Sequence, residues 1–535
     1  MAKLKVDNLD GSLWGQAGIS LPQFNIAQIR ENTRRRPEWI HFGGGNIFRG
    51  YIAGLQQELL DRGCADTGII VAENYDPEII TDIYAPYDNL ALTVRMSASG
   101  EMDKKVTASV AEALISCSSE ADWQRIGEIF TSSTLQLCSF TITEKGYALR
   151  KMDGQFQDTI AADIMDGPQR PVHLMAQITS LLYERFKAGG FPMAMVSMDN
   201  CSCNGKLLHD AILEIAIEWQ KRGFVSEEFI QYLSNDNKVS FPWSMIDKIT
   251  PRPSATIQKL LEGCGVEDMA IVCTERGTYM APFVNTEKAE YLVIEDDFPA
   301  GRPELEASGV IFTDRDTVQK TERMKVMTCL NPLHTALAIL GCLLDFRTIA
   351  DEMDDQDLRR LVEGIGYREG MPVVTDPGII DPKAFLAEVL TERFPNPNIP
   401  DTPQRIATDT SQKMPVRFGE TLKAYMCRED LDIGSLVLIP LVIAAWVRYL
   451  LAVDDNGRVM ELSSDPLMDE LHRYTAGIEF GRPETVGNNL RPLLQKRSLF
   501  GVDLYEAGLG IKIEEIFKEM IKGPGSVRQT LRDYL

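Results

Sequence analysis

Apolar residues fall into two rhythms along this chain, and the change of rhythm divides it. Short unbroken runs come first: Trp39-Ile-His-Phe42, Gly68-Ile-Ile-Val-Ala72, Leu135 to Thr143 and Met193 to Met198. Each is too short for a buried helix, so each reads as a strand covered on both faces. Helical spacing appears between them. From Asn46 to Asp61, for example, Ile47, Tyr51, Leu55 and Leu59 recur on one face. Strand and helix in alternation predict a largely parallel sheet with covering helices. From about residue 330 the rhythm is helical, with helices expected over Leu333 to Leu344, Thr348 to Ile365, Pro382 to Phe394 and Leu436 to Ala452. Turns such as Pro395-Asn-Pro-Asn-Ile-Pro-Asp-Thr-Pro403 part them. The polar stretch Pro299 to Asp316 separates the two patterns, so the expected domains are 1–312 and 313–535.

A chain of 535 residues is long for one core, which agrees with two domains. A net charge of -23 argues against nucleic acid and against an anionic membrane as partner. A small anionic substrate stays compatible, because a few local cations outweigh the global field. Met1 to Asp10 holds no apolar run, so no signal peptide is expected. Ile433 to Val447 is the most apolar segment, but it is shorter than a spanning helix and predicts a buried core helix. The 10 cysteines are scattered without zinc-site spacing. They read as reduced thiols in a cytoplasmic protein, and no metal is expected.

Two segments carry candidate chemistry. Gly43 and Gly45 stand directly after one predicted strand and directly before a helical pattern. In a dinucleotide fold such glycines allow a tight turn and a close approach to pyrophosphate at a helix N-terminus. Position 48, where a third glycine would complete the fingerprint, is Phe48. Glu73 ends the second predicted strand, where a carboxylate accepts from ribose hydroxyls and repels a 2′-phosphate, so NAD(H) is expected over NADP(H). It lies further from Gly43 than the usual spacing of about 20 residues. The second segment, Glu322 to His334, gathers Lys325, Asn331 and one of only 5 histidines. Lysine can take a proton, asparagine can donate to an oxyanion, and histidine can do either. Asn331-Pro332 also predicts a helix start, with Asn331 as N-cap and Pro332 in the first turn. Each residue alone has a plainer reading: a solvated Glu73, a snorkelling Lys325, a turn residue at Asn200, a core histidine at His334.

Taken together these motifs resemble the long-chain polyol and sugar-acid dehydrogenases, the family of mannitol 2-dehydrogenase, fructuronate reductase (mannonate oxidoreductase) and tagaturonate reductase. Gly43-Gly-Gly-Asn46-Ile47-Phe48-Arg-Gly50 is similar to the family's glycine-rich turn, and Thr143-Glu-Lys-Gly-Tyr147 to a short signature. Asp199-Asn200 with Asn204-Gly205, Phe241 to Pro251, and Ile294 to Phe298 through Gly301-Arg-Pro303 match further elements in order. The resemblance implies an α/β N-terminal Rossmann-like domain, a mostly α-helical C-terminal domain, and an active site in the cleft between them. It implies metal-independent hydride transfer between NAD and a secondary alcohol, with Lys325 as general base and Glu322 relaying its proton. Asn200 and Asn331 would donate to the reacting oxygen, His334 would contact substrate, and Arg405 and Lys413 match the family's substrate-binding pair. On their own Arg405 and Lys413 could equally pair with Asp401 or Asp409. Lys325 and Asn331 are six apart where the family pattern usually has five. Inside one α-helix the extra residue would turn the lysine by about 100°. The expected substrate is a ketohexuronate/hexonate pair, because Arg405, Lys413 and Arg417 fall in one short segment and a carboxylated sugar needs such groups. A neutral polyol such as mannitol is the alternative, and an inactive nucleotide-binding regulator is a further one.

Overall fold

A computed structural model describes residues 2–9, 11–151 and 153–535. The chain divides into two compact units, Met1–Met96 with Gly100–Gln319, and Lys320–Leu535 with Ser97–Ser99. In the first, six parallel strands form one sheet: β1 (Trp39–Phe42), β2 (Ile69–Glu73), β3 (Val110–Ile115), β4 (Leu137–Phe140), β5 (Met193–Ser197) and β6 (Val239–Ser240). Their spatial order is β3-β2-β1-β4-β5-β6. The chain winds outward from β1 to β3, then crosses back to β4, so the winding reverses beside β1. Ligands of such sheets bind at that reversal, outside the carboxyl ends of the strands.

Every residue of β1, β2, β4 and β5 is buried, as continuous apolar runs require. Alternate residues feed two cores. Ile40, Phe42, Ile70 and Ala72 pack with Phe130, Phe140 and Trp219 on one face. Trp39, Ile69 and Val71 pack with Phe48, Leu55, Leu59 and Tyr84 on the other. The helical pattern predicted from Asn46 resolves into a wide π turn, Phe48–Ile52, followed by helix α1 (Ala53–Arg62). Gly63 ends α1 in the left-handed conformation at φ 71°. Not everything is parallel. Ala91–Met96 pairs antiparallel with Met102–Thr107 in a separate four-stranded sheet.

The second unit is helical. It is entered through α2 (Arg315–Met324), and its centre is built from α3 (Asn331–Leu343) and α4 (Leu438–Tyr449). All residues of α4 are buried, which accounts for the most apolar stretch of the chain as core. The run Arg315–Leu343 is long and apolar enough to cross a membrane by composition, but 72% of its apolar window is buried inside the protein, as in a core helix. The helix expected over Thr348 to Ile365 is broken at Asp355, whose carboxylate accepts from the backbone N–H groups of Asp357 and Leu358 and starts a new helix.

Candidate active site

The glycine-rich turn is shaped by close backbone approach. Gly43 has φ 107°, and a Cβ there would lie 2.2 Å from the carbonyl oxygen of Thr141 at the end of β4. Only glycine fits. A Cβ on Gly45 would meet open space, so this stretch of backbone is free to be approached by a ligand. Asn46 Nδ2 donates to the Tyr279 carbonyl (3.3 Å). Phe48 does not face that space. It is fully buried and stacks on His41 with ring centroids 4.4 Å apart. His41 is held by Ser139 and Thr141 at 2.7 and 2.8 Å, and burial lowers its pKa to about 3, so it is a neutral spacer. The ring therefore occupies the place a third glycine would leave between helix and strand, and Ile47 packs on the same core. Arg49, next in the turn, is 1% exposed.

Glu73 stands at the carboxyl end of β2 as expected, but it faces inward. Its Oε2 accepts from Gly44 N (2.7 Å), and its Oε1 from Tyr75 N (2.9 Å) and Asp76 N (3.1 Å). Burial raises its pKa, and the three amides oppose that shift. Both oxygens thus fasten the glycine-rich turn to the loop after β2. The ends of β4 and β5 are tied just as closely. Asp199 accepts from Ile142 N and Thr143 N (2.9 Å each) and from the Tyr147 hydroxyl (2.6 Å). Asn204 donates to the carbonyl of Asp199 (3.0 Å) and accepts from Ser244 N (3.0 Å), while a Cβ on Gly205 would lie 2.6 Å from Phe241 O. Three motifs far apart in sequence thus meet at one edge of the sheet, and Asn200 sits in the turn they brace.

In the second unit, Lys325 is 2% exposed and opens a π turn, Lys325–Cys329, that closes with Leu330 N donating to Lys325 O (3.1 Å). A π turn holds one more residue than an α turn. The six-residue spacing from Lys325 to Asn331 is absorbed there, without carrying the lysine round by a helical step. The expected cap at Asn331 is not formed. The helix α3 includes Asn331 as its first residue, Leu330 occupies the capping position, and no side chain caps it. The π turn runs directly into α3, so preceding carbonyls already receive the amides; His334 N donates to Leu330 O (3.0 Å).

His334 lies against Phe394 (5.1 Å between centroids). Its Nε2 is 3.4 Å from Asp401 Oδ2, long for a hydrogen bond, and has no hydrogen-bond partner among the described residues. Burial first, then Arg417, Arg405, Arg393 and Lys413, lower its pKa to about 3. The imidazole is neutral and ringed by cations. Arg405 pairs with Asp401. Lys413 donates to the carbonyls of Ile406 (3.1 Å) and Thr408, and Arg417 to Thr335 Oγ1 and the Asn331 carbonyl (3.4 Å). Neither Lys413 nor Arg417 pairs with a carboxylate among the described residues. Their pKa values fall to about 8 and about 10, chiefly from burial.

Residues 37–307 match the mannitol dehydrogenase Rossmann domain, and residues 317–520 the mannitol dehydrogenase C-terminal domain. The chain belongs to the mannitol dehydrogenase family. Membership makes it an oxidoreductase of the dehydrogenase type. A D-mannonate oxidoreductase of Thermotoga maritima is 54% identical over 98% of this chain and 97% of its own length. A mannitol 2-dehydrogenase of Cereibacter sphaeroides is 29% identical over 80% of this chain and 84% of its own. Among solved structures, D-sorbitol dehydrogenase in substrate-free form superposes with a TM-score of 0.79, covering 96% of this chain and 98% of that one at 24% identity. Pseudomonas fluorescens mannitol 2-dehydrogenase, solved with NAD and D-mannitol, gives 0.72 at 24% identity over 99% of both chains. These likenesses and the two matched domains bear out the fold class expected from the motifs, a Rossmann domain followed by a helical one.

Proposed function

We propose that this protein interconverts a hexonate and its ketohexuronate, D-mannonate and D-fructuronate, with NAD(H) as redox partner. The observation that carries this is the likeness to D-mannonate oxidoreductase over almost the whole chain. The local chemistry supports it. Two cations without a carboxylate partner, Lys413 and Arg417, flank the helix that carries Asn331 and His334, and a sugar carboxylate would supply the missing charge.

The first unit suits the cofactor. Gly43 allows the tight turn, Gly45 lets a pyrophosphate approach the backbone, and Asn46 and Ile47 begin the turn of helix behind it. Phe48 and Glu73 contribute by fixing the turn's shape from beneath. Bound NAD(H) supplies the hydride acceptor or donor. The residues supply the proton chemistry. In the oxidative direction Lys325 Nζ takes the hydroxyl proton of substrate, and Glu322 passes that proton onward. The amide N–H groups of Asn200 and Asn331 donate to the oxygen as negative charge grows on it. Neutral His334 offers its Nε2 to a neighbouring hydroxyl. Arg405, already neutralised by Asp401, holds hydroxyls rather than the carboxylate.

The ten free cysteines suit a reducing compartment and a cytoplasmic enzyme. Arg417→Gln tests the carboxylate assignment. Its KM for fructuronate is expected to rise about 10- to 100-fold, the worth of a charge-assisted hydrogen bond. An unchanged KM would remove Arg417 from the site.

A further inference from the structure

With both oxygens of Glu73 bonded to backbone amides, the usual holder of the adenosine ribose is already engaged. That half of the dinucleotide therefore has room for a second grip beside Glu73. The neighbouring residue, Tyr75, is a large aromatic left 63% exposed directly beyond the carboxyl end of β2. Its ring is covered by the Arg276 guanidinium, 4.7 Å from the ring centroid. Arg276 makes no ion pair among the described residues; the phenol ring is its neighbour.

Arg276 comes from a distant part of the sequence, at the tip of a small hairpin formed by Val272–Cys273 and Tyr279–Met280. That hairpin is pinned on two sides. Thr274 Oγ1 donates to Asp76 Oδ2 (2.7 Å), and Glu275 N donates to Glu78 Oε2 (3.0 Å), which hold it to the loop after β2. The Tyr279 carbonyl accepts from Asn46 Nδ2 (3.3 Å), which holds it to the glycine-rich turn. Thr274 N to Thr278 O (3.0 Å) and Gly277 at φ 79° close its tip. The hairpin is therefore a wall along the adenosine side of the turn, and it presents a planar cation opposite a planar ring.

We propose that Tyr75 and Arg276 form a clamp for the adenine of the dinucleotide. The exposed arginine side chain lifts from the phenol ring and the purine enters between them, stacked on both. The assignment rests on the dinucleotide reading given above and adds the residues that grip one end of it. Aromatic rings and guanidinium planes both stack on bases without needing a hydrogen-bond pattern.

The test is equilibrium binding of NADH, followed by fluorescence, and of 5′-AMP as its competitor, on the full-length wild type, Tyr75→Ala, Arg276→Ala and Tyr75→Phe. Both alanine variants are expected to weaken NADH and 5′-AMP alike, by roughly 5- to 150-fold, the range for one stacked base. Tyr75→Phe keeps the ring and is expected to bind within about twofold of wild type. All are surface positions, so thermal unfolding should not move. Alanine variants that bind both ligands as wild type does would overturn the clamp and leave the dinucleotide site standing. Wild type that binds neither ligand would overturn the dinucleotide reading and the clamp with it.

Discussion

At the scale of single residues, the proposed proton chemistry falls on Lys325, and its placement answers the question its spacing raises. A buried lysine at the start of a π turn is held by backbone geometry rather than by a flexible surface position. Lys325→Ala is expected to lower kcat by about 10²- to 10⁴-fold, the usual worth of a positioned base, with far less change in NADH affinity. Near-normal turnover would remove it from the mechanism. Lys413 gives a pH signature. Its pKa is lowered to about 8, so it carries charge below that pH and loses it above. KM for a uronate should therefore climb as pH rises through about 8, and an uncharged ketose should show no such limb. His334, neutral with a pKa of about 3, should add no limb near neutrality. The motifs made Lys325, Asn331, His334, Arg405 and Lys413 legible as candidates. Less legible was how they are used, because that depends on partners. Arg405 meets Asp401, one of the two partners its position allowed, but Lys413 turns to backbone carbonyls and Arg417 reaches back to Thr335. Glu73 was visible as a strand-ending acid, but nothing in the sequence shows that three amides would fill it.

At the scale of elements, the buried strands β1, β2, β4 and β5 were readable because continuous apolar runs mean burial on both faces. The strand β3 was not, since Val110–Ile115 mixes Glu112 into the run. The hairpin of Ala91–Met96 and Met102–Thr107 was also missed, although its alternation is visible once the turn near Gly100 is known. Wide π turns escape any reading based on a 3.6-residue period, yet they recur where chemistry is proposed. Lys325, Arg393 and Arg417 all lie in one. Such turns cost regularity and are common at functional sites for that reason. One helix carries a liability of another kind. Glu352 is fully buried, neither carboxylate oxygen has a hydrogen-bond partner among the described residues, and a Cβ on Gly341 would collide with it. Burial raises its pKa well above the ordinary value. A raised carboxylate pKa means the folded form holds the proton longer than the unfolded one, so stability is lost as pH rises above the unfolded value of about 4.3. Glu352→Gln should thus raise Tm more at pH 8 than at pH 5. A Tm difference that shrinks with rising pH would contradict this.

At the scale of the whole molecule, the strongly acidic chain and its proposed substrate site point in opposite directions. A net charge of -23 repels anions at long range, but screening confines that field to about 10 Å at ordinary salt. Within that distance Lys413, Arg417 and Arg393 set the local sign around His334. Composition alone therefore could not choose between a sugar acid and a neutral polyol, while Lys413 and Arg417, which meet no carboxylate among the described residues, support the proposed acid. The most direct measurement is the rate of NADH oxidation by the purified protein with D-fructuronate and with D-fructose, side by side. The kcat/KM for fructuronate is expected to exceed that for fructose by about 100-fold or more, as two charge-assisted contacts to a carboxylate require. Equal or better turnover of fructose, or none with fructuronate, would contradict it.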